Sequence, residues 1–253
     1  MENAKTLYII VPCYNEEECL PETAPVFVRK LKELEEAGLA GPGSRVLFVD
    51  DGSKDATWTL IRQYHEEFAP YCAGLRLIPN GGHQKAVMAG IQEALEKADV
   101  SISIDVDLQD DIGAMNEMMT KYLAGAELVC GVRAARATDT FLKRFTAEAY
   151  YKLMNLFGAR LIYNHADYRL MSREAMRRLC LYHDENLFLR GMITRLGLPA
   201  ETVSYDRTER VAGESKYTLK KMLKLAKDGF TCGKMKPKAE PRPLDKRIAE
   251  ILE

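Results

Sequence analysis

Short apolar runs alternate with longer amphipathic stretches through the first half of the chain. The runs have the length of buried strands and are closed by proline, glycine or acidic residues, whereas the stretches between them predict helices. The predicted strands are 7–11, 45–49, 75–78, 100–104 and 127–131, and the predicted helices are 20–37, 55–68, 83–97 and 115–123. This alternation predicts an α/β fold, with a mostly parallel sheet and helices on both faces.

The second half has a less regular pattern. It predicts helices at 141–156, 173–181 and 186–196, strands at 167–171 and 201–206, and a short helix at about 245–252. Within 218–230, apolar residues fall on one helical face and lysines largely on the others. Such a basic amphipathic helix suits an anionic membrane surface, and a core-packed helix with a lysine-rich exposed side fits the same pattern equally well.

Two carboxylates and an amide follow the apolar run 100–104. Because alternate residues of a strand share a face, we expect Asp105, Asp107 and Gln109 to offer their oxygens to one point. Oxygen ligands at a strand end suit Mg²⁺ or Mn²⁺, which commonly bind protein and substrate phosphates together. The plain alternative is a charged turn.

Polar residues follow other predicted strands as well. Asp50 and Asp51 end the run 45–49, where two adjacent acids repel each other. The stretch 80–85 opens a helix whose free N–H groups and positive dipole end can face a diphosphate. Parallel sheets bind ligands at the carboxyl ends of their strands, so these groups are expected to form one site. The alternatives are a solvated turn at Asp51 and a helix cap by Asn15.

Composition narrows the classes of function. The net charge is −1, so no overall attraction to nucleic acid is expected. The six cysteines form no CxxC pair and histidine is scarce, so neither a zinc site nor a disulfide framework is expected, and a reducing cytoplasm fits best. The sequence predicts no signal peptide and no membrane-spanning run.

Five motifs in order resemble glycosyltransferase family 2, of the GT-A fold. They are Pro12-Cys13-Tyr14-Asn15-Glu16-Glu17, Val49-Asp50-Asp51-Gly52-Ser53, Gly82-His83-Gln84, Asp105-x-Asp107-x-Gln109 and Gly213-Glu214-Ser215-Lys216-Tyr217. The resemblance covers about residues 5–237 and is strongest to the branch that moves a sugar onto a polyprenyl phosphate, which includes dolichyl-phosphate mannosyltransferases and bacterial undecaprenyl-phosphate glucosyltransferases.

The resemblance implies an inverting transfer of a hexose from a nucleoside diphosphate sugar, UDP-glucose or a close relative, to a polyprenyl phosphate in cell-envelope glycan synthesis. It also implies Mg²⁺ or Mn²⁺ as cofactor and a position at the inner face of the cell membrane, and it leaves a homo-oligomer open. The expected division is a catalytic domain at 1–217, the amphipathic helix at 218–232 and a polar tail at 233–253.

The resemblance further assigns roles to individual residues. The donor would be bound by Pro12, Tyr14, Asn15, Glu16, Asp50, Asp51, Gly82, His83, Lys85 and Asp105, and the metal by Asp105, Asp107 and Gln109. The catalytic residues would be Asp107, Asp167 and Arg133, and the acceptor phosphate would be bound by Arg169, Ser215 and Lys216. Arg133, Arg136 and Arg144 are expected to bind it too, because they form a basic stretch after a strand end and an anionic acceptor needs such partners; a solvated face is the plain alternative.

Three alternatives stay open at this point. Asp167 could form a salt bridge with Arg169 or another arginine instead of acting on the acceptor. The acceptor could be a soluble or surface glycan, or the protein could bind nucleotides without catalysis. Asp110-Asp111-Ile112 stands where the family often has Asp-Pro-Pro, and it is expected to alter loop stiffness more than chemistry.

Overall fold

The computed structural model describes residues 4–134, 162, 164–183, 188–207 and 235–253. Its strands are β1 Leu7–Cys13, β2 Arg45–Asp50, β3 Cys72–Leu77, β4 Val100–Ser103, β5 Leu128–Arg133, β6 His165–Ser172, β7 Ala200–Tyr205 and β8 Ile248–Leu252. Its helices are α1 Leu20–Glu36, α2 Thr57–Glu67, α3 His83–Lys97, α4 Ala114–Leu123, α5 Arg173–Cys180 and α6 Leu189–Ile193. The helices predicted at 141–156 and 218–230 lie outside the described residues.

The described strands form one sheet in the order β7-β5-β6-β4-β1-β2-β3-β8. The pairs β1–β2, β1–β4, β2–β3 and β5–β7 are parallel, whereas β6 and β8 run antiparallel to their neighbours. The prediction of a mostly parallel sheet is therefore confirmed. The carboxyl ends of β1 to β5 and the start of β6 all lie at the same edge of the sheet.

Helices cover both faces of the sheet, as the sequence predicts. Alternate residues of β1 divide between two apolar clusters: Leu7, Ile9 and Val11 face α1, α2 and α4, while Tyr8 and Ile10 face α3, α5 and α6. This division follows from the two-residue period of a strand. The buried strands are apolar on both sides because each side meets a helical layer.

One end of the chain departs from the prediction. The helix predicted at 245–252 is wrong, because Ile248–Leu252 forms β8 and pairs antiparallel with β3. A strand here satisfies the backbone groups along the edge of β3, whereas an isolated helix of this length has little stability in water. The last residues of the predicted polar tail thus belong to the same sheet as β1 to β4, although the boundaries at 217 and 232 stay predictions. The helix predicted at 186–196 is described only as the short α6.

No helix in the described ranges combines the length and the apolar character needed to cross a lipid bilayer. The cysteines at 13, 19, 72, 130 and 180 are buried and free.

Helix α3 approaches β1 closely at Gly90. A Cβ atom added there would lie 2.5 Å from Ile10 Cγ2 and 3.1 Å from Val49 Cγ2. The small residues of this helix therefore let it lie directly on the sheet, which brings its first turn to the edge where the strands end.

We predict that Gly90→Val lowers the free energy of unfolding by about 1–3 kcal/mol, because the added methyl groups overpack the contact with Ile10. Glu96→Val, at an exposed position of the same helix, should lower the free energy of unfolding by less than about 1 kcal/mol. Urea unfolding measures both values. Equal stability of the two variants would show that α3 can move away from the sheet without penalty.

Candidate active site

The antiparallel pairing of β4 and β6 sets the centre of the site. Ser103 is paired with Arg169, and continuing this register by two residues brings Asp105 opposite Asp167. Both carboxylates therefore lie at the edge where β1, β2 and β4 end, and helix α3 begins beside them. The strand ends in the sequence predicted that Asp105 lies at this edge, whereas Asp167 was named only from the family resemblance.

Four carboxylates crowd this edge. Desolvation raises the pKa of Asp105, and the charges of Asp167, Asp107 and Asp110 raise it further, while nearby His83 lowers it. The only ion pair of Asp105 within the described residues is with His83, whose Nε2 lies 3.7 Å from Asp105 Oδ1. The arrangement thus holds surplus negative charge that a proton or a cation would reduce.

The route by which Asp107 and Gln109 reach the site differs from the prediction. Strand β4 ends at Ser103, and Leu108 has a φ of 50°, so the alternation of a strand does not extend to Gln109. Instead the loop turns back on itself, and the backbone N–H of Gln109 donates to Asp107 Oδ1 at 3.2 Å. The Gln109 side-chain oxygen accepts a hydrogen bond from Arg207. The Gln109 side chain is therefore directed at Arg207 in this structure, and its predicted role as a metal ligand stays a prediction.

The remaining donor set fits a hard divalent cation only in part. Within the described residues, no group of three or more His, Cys, Asp or Glu side chains is arranged to hold a metal. Asp105 and Asp107 nevertheless supply the oxygen atoms of two carboxylates in an acidic environment. Mg²⁺ often binds only one or two carboxylates of a protein, while substrate phosphates and water complete its coordination shell. These residues fit a metal that binds together with a phosphorylated ligand.

Asp51 holds the loop between β3 and α3. Its Oδ1 accepts from the Gly81 N–H at 2.9 Å and its Oδ2 from the Gly82 N–H at 2.6 Å. Asn80 Nδ2 and Arg247 Nη1 also donate to the same carboxylate, at 2.9 and 3.1 Å. Asp51 is 2% exposed, so it organises the loop in this structure and is not a solvated turn.

Asp50 is buried on the other side of the same strand end. Its Oδ1 accepts from the Ser53 N–H, and its Oδ2 lies 3.6 Å from Arg76 Nε. Burial raises the pKa of Asp50, while Ser53 and Arg76 lower it. The predicted contacts of Asp50 and Asp51 with the donor stay predictions.

The turn after β1 is fixed by the loop after β2. Asn15 has a φ of 52°, and its Oδ1 accepts from the Lys54 N–H at 2.9 Å. The Glu16 N–H donates to Thr57 Oγ1 at 2.8 Å. Because α1 begins only at Leu20, Asn15 is not its cap, and the alternative of a capping asparagine is wrong. Pro12 lies within β1, and Tyr14 follows at the edge of the site.

The first turn of α3 opens toward the acids. Gly82 has a φ of 91°, which a side chain would disfavour, and it lets the chain enter the helix directly after the loop. His83 begins the helix and Lys85 lies in its first turn. The first N–H groups of a helix lack intrahelical partners, so this end can bind an anion next to Asp105.

Asp167 is held by two arginines. Arg169 Nη2 lies 2.5 Å from its Oδ1, and Arg190 donates to both oxygens, at 3.2 and 2.7 Å. Desolvation acts to raise the pKa of Asp167, but Arg190 and Arg169 outweigh it and hold the pKa well below its usual range. The salt bridges of the alternative are therefore present, while the predicted catalytic role of Asp167 stays a prediction. Arg169 is only 1% exposed, and its predicted contact with an acceptor phosphate stays a prediction.

Arg190 and Asp110 are site residues that the sequence analysis missed. Arg190 is one-third exposed, so it lies between the buried Asp167 and solvent. Asp110 is buried and binds Arg133 through Nε and Nη2, at 3.1 and 3.3 Å. Asp110 thus fixes Arg133, the arginine predicted to act on the acceptor. The expectation that Asp110-Asp111-Ile112 alters loop stiffness more than chemistry stays a prediction. The sequence does not predict these ion pairs, because one charged residue on a predicted helix or loop does not indicate which distant residue it contacts.

The other predicted acceptor residues, Arg136, Arg144, Ser215 and Lys216, lie outside the described residues.

His165 is a buried histidine beside this cluster. It is 4% exposed, and within the described part of the chain neither ring nitrogen has a hydrogen-bond partner. Desolvation, with Arg169, lowers the pKa of His165 to about 3. The imidazole is therefore neutral in the folded protein at pH values where the unfolded chain takes up a proton.

We predict that this histidine makes folding stability fall as the pH drops below about 6.5, the ordinary histidine value, because only the unfolded state gains the proton. Between pH 7 and pH 5 the wild type should lose about 2 kcal/mol more than His165→Gln, measured by urea unfolding at both pH values. Identical losses in the two proteins would mean that His165 titrates normally.

Comparison with known proteins agrees with this geometry. The family model described as Glycosyl transferase family 2 matches residues 8–180. The chain is 48% identical over 236 residues to the uncharacterized glycosyltransferase YkoT of Bacillus subtilis, covering 93% of this chain and 70% of that protein. It is 39% identical over 224 residues to the bactoprenol glucosyl transferase of Shigella phage SfX, covering 88% and 70%.

The fold is also similar to a solved structure, glucosyl-3-phosphoglycerate synthase of Mycobacterium tuberculosis in complex with Mn²⁺, UDP-glucose and phosphoglyceric acid. The TM-score is 0.57 at 12% identity, and the match covers 95% of this chain and 90% of that one. At this identity the similarity supports the fold alone.

Proposed function

The chain belongs to glycosyltransferase family 2, and from this membership we propose that it transfers one hexose from a nucleoside diphosphate sugar to a polyprenyl phosphate. UDP-glucose is the first candidate donor. The relative named as a bactoprenol glucosyl transferase supports both the sugar and the lipid. The observation that carries the proposal is the acidic pair Asp105 and Asp107 between the open end of α3 and the Asp167–Arg190 pair.

The donor would lie with its diphosphate at the first turn of α3. There the helix N–H groups and Lys85 favour negative charge, while the loop fixed by Asp51 shapes the approach. When bound, a divalent cation on Asp105 and Asp107 would neutralise the diphosphate and make it a better leaving group. Mg²⁺ or Mn²⁺ is proposed on the chemistry of these carboxylates.

The acceptor would approach from the side of β5 and β6. A phosphate oxygen of the lipid attacks the anomeric carbon, the bond from that carbon to the diphosphate breaks, and the nucleoside diphosphate leaves with inversion at the sugar. A phosphate is already ionised near pH 7, so the reaction depends on orientation more than on a base. This agrees with an Asp167 carboxylate that two arginines hold ionised and in place.

Arg190 and Arg133 are the arginines that would meet the acceptor phosphate. Both keep about one-third of the side chain exposed while an aspartate fixes the guanidinium, Asp167 for Arg190 and Asp110 for Arg133. A guanidinium that is held in advance loses less entropy when it binds a phosphate. Asp167 is thus proposed as a positioning residue and not as the base. Transfer would take place at the inner face of the cell membrane, with the protein bound to its surface.

The direct test is transfer of labelled sugar from a panel of UDP- and GDP-sugars to undecaprenyl phosphate, with Mg²⁺ or Mn²⁺, followed by organic extraction. We expect metal-dependent label in the organic phase from one donor, and none with EDTA. Label on a soluble or surface glycan, with none on the lipid, would contradict the polyprenyl acceptor and favour the alternative. Absence of transfer and hydrolysis with every donor would contradict the proposal as a whole.

Asp107→Asn should reduce metal-dependent transfer by about 100-fold or more, because the amide cannot replace a carboxylate that holds the charge of a bound cation. The matched control is Asp111→Asn, an exposed aspartate of the same loop, which should keep wild-type activity. Initial rates at several Mn²⁺ concentrations give the comparison. Wild-type rates and metal dependence in the Asp107 variant would remove Asp107 from the proposed site.

A further inference from the structure

The last residues of the chain pack against the catalytic sheet as a strap, here residues 235–253. Its early part contacts the turns that follow α5 and α6: the Lys238 N–H donates to Leu181 O at 2.8 Å, and Arg195 Nη2 donates to Met235 O at 3.1 Å. Its middle part accepts a hydrogen bond from Gln92 of α3 at Pro243 O, at 2.9 Å. Its end is β8. The strap therefore runs over the helical face that contains α3 and ends beside β3.

Arg247 of the strap reaches into the donor side of the site. Its Nη1 lies 3.1 Å from Asp51 Oδ1 and donates to Pro79 O at 3.3 Å. Asp245 fixes the same guanidinium, with contacts of 3.1 Å to Nε and 2.6 Å to Nη2. The Arg247 side chain is 16% exposed, so this is an ordered, largely enclosed contact and not a surface ion pair.

The contact matters because Asp51 is the residue that holds the loop before α3. The carboxylate is almost fully buried, and its other donors are the neutral groups of Asn80, Gly81 and Gly82. Among the contacts of Asp51 in the described residues, the guanidinium of Arg247 is the one that carries a positive charge. Without it, a buried carboxylate would keep its hydrogen bonds but lose its counter-charge.

The loop is also shaped to receive Arg247. A Cβ atom added at Gly81 would lie 1.9 Å from Arg247 Nη1 and 2.4 Å from its Cζ. The guanidinium thus rests directly on the Gly81 backbone, in the space where any other residue would place its side chain. Asp245 of the same strap binds the guanidinium as well, so the orientation of the Arg247 side chain is fixed within the strap.

We propose that Arg247 is a positioning residue for the nucleotide donor, acting through Asp51 on the loop 79–82 and the first turn of α3. The inference rests on the proposed function, because it assigns the diphosphate to that turn. It adds that a residue of the C-terminal strap, far from the site in sequence, sets the affinity for the donor. In this proposal Arg247 affects donor binding, whereas the groups around Asp107 and Asp167 act on the reaction at the anomeric carbon.

Arg247→Ala tests the proposal in the 253-residue chain. We expect the dissociation constant for UDP with MgCl₂, measured by calorimetry, to rise about tenfold. The KM for the sugar donor should rise in parallel, while kcat at saturating donor stays within about twofold of the wild type. Without any ligand, amide hydrogen exchange at Gly81 and Gly82 should become faster, because their N–H groups donate to Asp51.

Three further variants separate positioning from general stability. Arg247→Lys should recover part of the UDP affinity, since a lysine can restore the charge but not the paired contact with Asp245. Lys246→Ala removes an exposed cation next to it and should leave binding unchanged. Gly81→Ala should weaken binding as Arg247→Ala does, and the two changes together should cost no more than one alone, because both break the same contact.

The outcomes distinguish the inference from the proposed function. A wild type that binds no UDP would contradict the proposed function, while the exchange experiment would still decide whether Arg247 orders the loop. Unchanged exchange at Gly81 and Gly82 in Arg247→Ala would overturn the inference. It would also be overturned by unchanged UDP affinity together with a lower melting temperature, because Arg247 would then only stabilise the fold.

Discussion

The structure depends on the pairing of buried carboxylates at the edge where the parallel strands end. A parallel sheet brings its strand ends together, and in this chain those ends are rich in aspartate, so several negative charges are enclosed near one another. Each would be costly without a counter-charge. Arginines supply this counter-charge: Asp50 pairs with Arg76, Asp51 with Arg247, Asp110 with Arg133, and Asp167 with Arg169 and Arg190. Except for Arg169, which lies on β6 together with Asp167, each arginine comes from another element of the fold.

This pairing divides the acids into two kinds. Those held by arginines fix loops and orient guanidinium groups, and they are poor ligands for anything else. Asp105 has only the imidazole of His83 as an ion-pair partner in the described residues, and three other acids act to raise its pKa. The same loop carries Asp107. In the proposed function, a cation that binds together with a nucleoside diphosphate would reduce the negative charge around Asp105.

The sequence predicted the features that depend on local pattern. The apolar runs and helical periods give most elements within a few residues, and the acidic strand ends locate the site because a parallel sheet brings them together. The pattern failed at Ile248–Leu252, whose strand depends on the free edge of β3. It failed at Gln109, because the left-handed turn at Leu108 breaks the alternation. The partners Arg190 and Arg247 could not be predicted, because each pair joins residues distant in sequence and a single arginine is usually solvated.

The most direct test of the account is the position of a metal in crystals grown with MnCl₂ and UDP, located by its anomalous scattering. The division of the acids predicts one Mn²⁺ in direct contact with Asp107, bridging to the diphosphate at the first turn of α3, with the arginine pairs of Asp51, Asp110 and Asp167 intact. A manganese peak at one of those arginine-held acids, or bound UDP with no metal near Asp107, would contradict it.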